Sequence, residues 1–272
     1  MNSNKIKILI KICKEALYKA HSTLEKLGSK GTCEVQDKHV IDISTQADKA
    51  ISKELIEFFK QKKFPAIVYS EEQGKIELTQ KPKYTIAIDE LDGTDNYYRD
   101  KDFLPHCTSI TFFNSIKPRF KDALIGGIIE HVSKRVWYAA KDYGCYLNDV
   151  RVNTSNRKKL DRRTLVIIDH YASSSEISKL VKIYPTAWVK DFGCMAFHLA
   201  GVSSGLFDAC LSSMQKADVL GTGYLLIKES GGFLTDWKGN PLDKVKYNFN
   251  SKYKIIAAST KELGKLLIKA LA

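Results

Sequence analysis

The sequence predicts a mixed α/β protein built as two joined halves, on three observations. Two amphipathic helical patterns open the chain, a series of short β-rich runs follows, and strand and helix patterns alternate in the second half. At 272 residues the chain is long enough to bury a large core in one domain or in two closely joined halves.

From Ile6 to Leu27 the apolar positions Leu9, Ile12, Cys13, Ala16, Leu17, Ala20, Leu24 and Leu27 recur at helical spacing, and Gly28 follows the last of them. A second helical pattern uses Ala47, Ile51, Leu55, Phe58 and Phe59. Ser44 or Thr45 stands where an N-cap hydroxyl is expected, and Pro65 lies beyond the end. The runs Ile67 to Tyr69, Tyr84 to Ile88, Ser109 to Phe113, Leu124 to Ile129 and Arg135 to Ala140 read as strands of one sheet. Asp142-Tyr143-Gly144 leads into Cys145-Tyr146-Leu147 and the turn residues Asn148-Asp149, a hairpin signature. A subdomain boundary is expected here, dividing residues 1–145 from 146–272. Beyond it, Thr164 to Ile168 reads as a strand, Phe192 to Val202 and Val219 to Glu229 as helices, and Lys254 to Ala258 as a buried strand. Ser259 and Glu262 have capping-box spacing ahead of a closing helix whose Leu263, Leu266, Leu267 and Leu271 share one face.

Composition excludes several classes. Hydrophobic residues make up 44% and charged residues 27%, with no low-complexity block. The longest apolar run, Ala123 to Ile129, is far short of the roughly 20 residues that cross a bilayer. Lys5, Lys7, Lys11 and Lys14 interrupt the apolar N-terminus, so no signal-peptide core forms and the cytoplasm is the expected location. Cys13, Cys33, Cys107, Cys145, Cys194 and Cys210 include no Cys-x-x-Cys pair, which argues against a zinc knuckle or dithiol site and for reduced, mostly buried thiols. The formal charge of +12 fits polyanion binding, attraction of an anionic substrate or simply a lysine-rich organism. Its scatter along the chain, with no zinc finger, RNA-binding sheet signature or basic zipper, argues against nucleic acid.

The chemistry concentrates in Ile86-Ala87-Ile88-Asp89-Glu90-Leu91-Asp92-Gly93-Thr94-Asp95-Asn96, an apolar strand running into a cluster of acids and a glycine. Asp89 and Asp92 in one partly desolvated place repel each other unless one is protonated or a cation sits between them. Hard carboxylate oxygens suit Mg²⁺ or Mn²⁺. The amides of Gly93 and Thr94, in a turn that enters a helix, suit a phosphate beside those ions. A solvated acidic turn is the simpler alternative. A calcium loop is excluded, because Leu91 occupies a ligand position and a strand leads in.

Further signals lie in Tyr69-Ser70-Glu71-Glu72, in Ala217-Asp218-Val219 and in Glu229-Ser230-Gly231-Gly232. With Asp89 to Thr94 these segments follow one another as in the inositol monophosphatase family, which the chain resembles over nearly its whole length. That family belongs to the lithium-sensitive phosphatases, together with fructose-1,6-bisphosphatases and 3′-phosphoadenosine phosphatases. Weaker echoes are Ile41-Asp42-Ile43-Ser44-Thr45-Gln46-Ala47-Asp48 and Gly193-Cys194-Met195-Ala196. The resemblance implies a layered α/β/α/β/α sandwich of the sugar phosphatase type with the site between its halves. It also implies two or three Mg²⁺ ions, with Mn²⁺ as an alternative. Glu71, Asp89 and the Leu91 carbonyl would hold one ion, Asp89, Asp92 and Asp218 another, and a looser third would also use Glu71.

By the same resemblance Thr94 and Glu71 orient a water and accept its proton, and Gly93, Thr94, Gly193 and Cys194 line the phosphate pocket. Asp48 supports the third ion or the nucleophile, or is a plain first-turn charge favoured by the helix dipole. Arg99 is a candidate for a second phosphate and Asp191 for the leaving group, each against a solvated surface charge, whereas His198 reads as a packing residue. The chain departs from the family pattern at Ser70 for glycine, Glu90 for proline, Ala217 for tryptophan, and Leu211-Ser212 where inositol-specific members carry a glutamate. The expected function is hydrolysis of a small phosphorylated polyol or sugar, with fructose 1,6-bisphosphate or 3′-phosphoadenosine 5′-phosphate as alternative substrates and a non-catalytic polyanion-binding module as the alternative of another class. The expected partner is a small phosphate ester, with no membrane, and the family implies a homodimer or homotetramer.

Overall fold

A computed structural model describes residues 3–32, 36–39, 42–169 and 173–272. Cys33 and Ile41 lie outside them. The chain opens with α1 (Ser3–Leu27), β1 (Gln36–His39), β2 (Asp42–Ser44) and α2 (Gln46–Gln61). The first large sheet then takes β3 (Ala66–Ser70), β4 (Gly74–Glu77), β5 (Tyr84–Asp92), β6 (Cys107–Phe113), β7 (Ala123–Glu130), β8 (Arg135–Ala140), β9 (Gly144–Leu147) and β10 (Val150–Val152), with α3 (Thr94–Asp100) between β5 and β6. The second sheet takes β11 (Leu165–Ile168), β12 (Trp188–Lys190), β13 (Ala209–Lys216), β14 (Phe233–Thr235) and β15 (Lys252–Ala258). Its helices are α4 (Ser174–Leu180), α5 (Met195–Ser203), α6 (Ala217–Glu229) and α7 (Lys261–Leu271).

The first sheet has the order β10-β9-β8-β7-β6-β5-β3-β4 and is antiparallel except where β3 runs parallel to β5. The second has the order β12-β11-β13-β15-β14, parallel on the β12-β11-β13 side and antiparallel from β13 to β14. β9 spans the 145/146 division drawn from the sequence, and the first sheet continues to Val152.

Strand alternation explains the layering, because successive side chains leave opposite faces of a sheet. Ile86, Ile88, Ile110 and Phe112 face one way and pack with Leu9, Leu17, Ile51 and Leu55 of α1 and α2. Ala87, Cys107, Phe113 and Ile128 face the other way onto Leu199 of α5 and Leu220 and Tyr224 of α6. The second sheet repeats the device: Ile167, Cys210 and Ile255 join that middle core, while Val166, Leu211 and Ile256 face Leu263 and Leu267 of α7. Three cores between five layers make an α/β/α/β/α sandwich.

Two local expectations move. The closing helix is capped by Thr260, whose Oγ1 accepts from Leu263 N at 3.2 Å, whereas Ser259 is buried at the end of β15 and donates to the Arg157 carbonyl. α5 begins at Met195 and not at Phe192, because Gly193 has φ +66° and Cys194 is extended. The five cysteines among the described residues are all free and buried. No helix of the described residues is long and apolar enough to cross a membrane.

Helices α1 and α6 approach β7 from opposite sides at adjacent glycines. A Cβ on Gly127 would lie 2.7 Å from Cys13 Sγ and 2.8 Å from Leu17 Cδ1, and one on Gly126 would meet the Thr222 backbone at 3.1 Å. Gly127→Val is therefore expected to lower the unfolding free energy by about 1–3 kcal/mol through overpacking. Denaturant melts of the two proteins measure the difference.

Candidate metal centre

The site begins at the end of β5. In a regular strand residues three apart point to opposite faces, which would separate Asp89 from Asp92. Here Asp89 pairs with Ser109 and Asp92 with Cys107, so β5 carries one more residue than β6 over that stretch. This bulge returns both aspartates to the face of α5 and α6 and leaves Glu90 and Leu91 on the side of α2. Glu71 follows directly on β3, whose last residue Ser70 pairs in parallel with Ile88, so Glu71 emerges beside Asp89.

Asp218 arrives from the other sheet. β13 runs into α6 with no loop, which places Asp218 in the first helical turn, where its Oδ1 accepts from Val219 N at 2.7 Å. α6 can approach the first sheet closely because Gly221 presents no side chain to Thr111 and Phe113, and Thr222 Oγ1 shares hydrogen bonds with Ser109 and Thr111 at 3.0 and 2.6 Å.

Glu71, Asp89 and Asp218 each offer an oxygen within 4.8 Å of the others, and they are the only such acidic, histidine or cysteine group of three among the described residues. Asp89 and Asp218 are 5% and 2% exposed, and Asp89 Oδ1 is buried with no hydrogen-bond partner. Burial first, and then repulsion from Glu71, Asp218 and Asp92, holds the Asp89 carboxyl well above the usual aspartate range. Burial followed by Glu71 pushes Asp218 up to about 7, against Lys216 and the Val219 amide. A partnerless buried carboxylate oxygen inside a set of hard oxygen donors fits a divalent cation of the Mg²⁺ type.

Asp92 stands beside this group and not in it. Its Oδ2 accepts from the Ala196 amide in the first turn of α5 and from Cys194 Sγ at 3.2 Å. Burial raises its pKa to about 6 in spite of those donors. Gly93 has φ +82°, and a Cβ there would meet the Pro105 carbonyl at 3.0 Å, Cys194 Cβ at 3.1 Å and the Gly193 carbonyl at 3.3 Å. The expected residues Gly93, Gly193 and Cys194 are thus brought together. Asn96 pins them by donating to the Pro105 and Phe192 carbonyls at 2.8 and 2.6 Å.

Thr94 Oγ1 donates to the Leu91 carbonyl at 2.7 Å and lies 3.3 Å from Asp48 Oδ1. Asp48, in the first turn of α2, is buried, and its Oδ2 accepts from Thr45 N at 2.8 Å and Thr45 Oγ1 at 2.7 Å. It is therefore both a capping charge and a neighbour of Thr94. Arg99 is exposed in the last turn of α3. Asp191 Oδ1 accepts from Gly193 N at 2.9 Å, and His198, fully buried, accepts at Nε2 from Phe192 N at 3.1 Å.

Two neighbours of the acids were not singled out from the sequence. Lys216 Nζ lies 2.9 Å from Glu71 Oε1, and in a chain with 43 basic residues one lysine carries no signal. Glu90, visible only as a replaced proline, is buried below the strand. There it accepts from Ser70 Oγ and, at 3.1 Å, from the Glu71 amide, and Ser70 in turn meets Ser52 of α2 at 2.8 Å. Burial pushes Glu90 up to about 8 against the Ser70 hydrogen bond.

The raised acids have a consequence for stability. A carboxyl whose pKa is higher folded than unfolded keeps a proton that the unfolded chain has released, so its contribution falls as pH rises from 3.8 to about 7 for Asp218. A cation must displace these protons. Mg²⁺ is therefore expected to raise the Tm of EDTA-treated protein more at about pH 8 than at about pH 5. Asp218→Asn should raise the Tm of the metal-free protein at the higher pH, by roughly 2–4 °C per kcal/mol of relieved repulsion, and lose most of the Mg²⁺ increment. Thermal melts with and without Mg²⁺ check both.

Comparison with known proteins shows the family. The model of the inositol monophosphatase family matches residues 3–272. A "Fructose-1,6-bisphosphatase/inositol-1-monophosphatase" of Methanothermobacter thermautotrophicus is 23% identical over 214 residues, 76% of this chain and 75% of its own. "Inositol monophosphatase 3" of Solanum lycopersicum is 27% identical over 274 residues, 94% of each chain. The extragenic suppressor protein suhB of Bartonella henselae, a solved structure, superposes with a TM-score of 0.84 at 22% identity, covering 97% of this chain and 98% of its own. With the family model matched over residues 3–272 and Glu71, Asp89 and Asp218 gathered within 4.8 Å of one another, the chain belongs to the inositol monophosphatase family and is a phosphoric monoester hydrolase.

Proposed function

We propose that the chain hydrolyses a small phosphorylated polyol or sugar of the inositol monophosphate type. Two or three Mg²⁺ ions, or Mn²⁺, would be held by Glu71, Asp89, Asp92, Asp218 and the Leu91 carbonyl. The observation that carries this reading is the partnerless Asp89 Oδ1 buried among Glu71 and Asp218. Bound there, divalent ions supply a water of lowered pKa and positive charge against that growing on the phosphate and the leaving alkoxide.

The chain's own groups do the rest. Glu71 and the Thr94 hydroxyl orient the attacking water, and Glu71 accepts its proton. The Leu91 carbonyl and Asp48 compete for the single Thr94 proton at 2.7 and 3.3 Å, which keeps the hydroxyl oxygen turned as an acceptor toward the water. The amides of Gly93 and Thr94 face the phosphate oxygens, where their positive ends offset charge as the water attacks in line. Asp191, which accepts from the Gly193 amide, would serve the leaving group, and Gly193 would line the phosphate pocket with Cys194.

Specificity broader than inositol is favoured by one feature. Where inositol-specific members carry a glutamate, Ser212 is buried and donates to Asp169 Oδ2 at 2.8 Å, so no free carboxylate is offered from that position. The archaeal relative, named for both activities, points the same way. Fructose 1,6-bisphosphate and 3′-phosphoadenosine 5′-phosphate are accordingly candidate substrates beside inositol 1-phosphate.

Phosphate release from these three compounds with Mg²⁺ or Mn²⁺ ranks the substrates. Asp89→Asn and Glu71→Gln are expected to slow the best of them by about 10²–10³-fold or more, and Thr94→Ala by a similar order. If no compound is hydrolysed faster by the native chain than by Asp89→Asn, the hydrolytic reading fails for these substrates and polyanion binding takes its place.

A further inference from the structure

Lys216 ends β13 and caps α6, two positions before Asp218, and its ammonium contacts Glu71 Oε1 at 2.9 Å. The pairing joins residues 145 apart in sequence and bridges the two sheets. The Lys216 side chain is 39% exposed and that of Glu71 19%, so the ammonium stands at the mouth of a cluster whose deeper members are almost fully buried.

We propose that the Lys216 ammonium is a resident cation of this centre, taking the place of one divalent ion at Glu71, so that the chain holds one ion fewer than its carboxylates could accept. The inference rests on the metal-binding reading above. The physical case is one of charge and space. The carboxylates of Glu71, Asp89 and Asp218, with Asp92 beside them, share the Lys216 ammonium and whatever ions enter. An ion bound to Glu71 would lie about 2.0–2.6 Å from its oxygen, and the lysine nitrogen, 2.9 Å from Oε1, occupies space beside the same carboxylate. The ammonium is tethered, and so is present at high effective concentration whatever the ion supply. It is a compact point charge with three donors, able to bind a carboxylate without a fixed coordination geometry.

Mn²⁺ alone is the probe. Its binding to EDTA-stripped protein is counted at saturation by equilibrium dialysis with paramagnetic detection of free ion, for the native chain, Lys216→Gln, Lys216→Met and Lys216→Arg. Lys216→Gln and Lys216→Met are expected to bind one more Mn²⁺ per chain than the native protein, and Lys216→Arg the same number as native. Equal counts in the native, glutamine and methionine proteins would overturn the proposal and leave Lys216 as a surface ion-pair partner of Glu71. Absence of Mn²⁺ from every protein, a distinct result, would overturn the metal-binding reading and this inference with it.

Discussion

Mutual repulsion of buried carboxylates is the constraint around which the molecule is arranged. Glu71, Asp89 and Asp218 come within 4.8 Å of one another, with Asp89 almost fully enclosed. Left to relax, such groups would separate or draw in water, because desolvation and like charge both oppose them. They stay together because each is fixed by backbone that cannot move alone: Glu71 by the parallel pairing of β3 with β5, Asp89 by the middle of the first sheet, Asp218 by the first turn of a buried helix. On the proposed reading, the energy stored in this arrangement is what a cation would recover on binding, so that folding strength elsewhere would be converted into affinity at the site.

The rigidity comes from close packing of helices on the first sheet. Gly126, Gly127 and Gly221 allow α1 and α6 to approach the strands nearer than any side chain would permit, and Thr222 locks α6 to Ser109 and Thr111. Because β13 continues directly into α6, the same contact that seats the helix sets the position of Asp218. Gly93 performs the corresponding service on the other wall, where a left-handed turn lets the Gly193 and Cys194 backbone close against the end of β5. Backbone approach, more than side-chain reach, brings these residues together.

Around the acids the chain has its own charge management. Glu90, on the far face of the bulge, holds the Glu71 amide and Ser70 and is tied through Ser70 to Ser52. Where the family has a proline to stiffen the turn, this chain has a hydrogen-bonded buried acid that couples the turn to α2. Lys216 meets Glu71 from the opposite side. Glu71 is thus held at its amide by one side chain and at its carboxylate by another.

Much of this was legible in the sequence. Period-3.6 and period-2 patterns marked α1, α2, β3 and the strands from β5 to β8, since burial on one or both faces imposes those periods. Asp89, Asp92, Gly93, Thr94, Glu71 and Asp218 stood out as an ordered series, because a site that holds cations needs acids and a turn needs glycine. What the sequence could not show is which of these meet. Asp89 and Asp92 share a face only because β5 bulges against β6, and a bulge is a property of the pair of strands. β12, β13 and β14 were missed because their residues pack by position in the second sheet and not by local pattern, and β4 because it is a short, mostly exposed edge of the first. Lys216 was one lysine among many until the fold carried it 145 residues in sequence to Glu71. Local chemistry and periodicity determined which residues could serve and which elements would form. The juxtaposition of two sheets across α5 and α6 decided their partners, because long-range distance is set by packing and is written in no single segment of the chain.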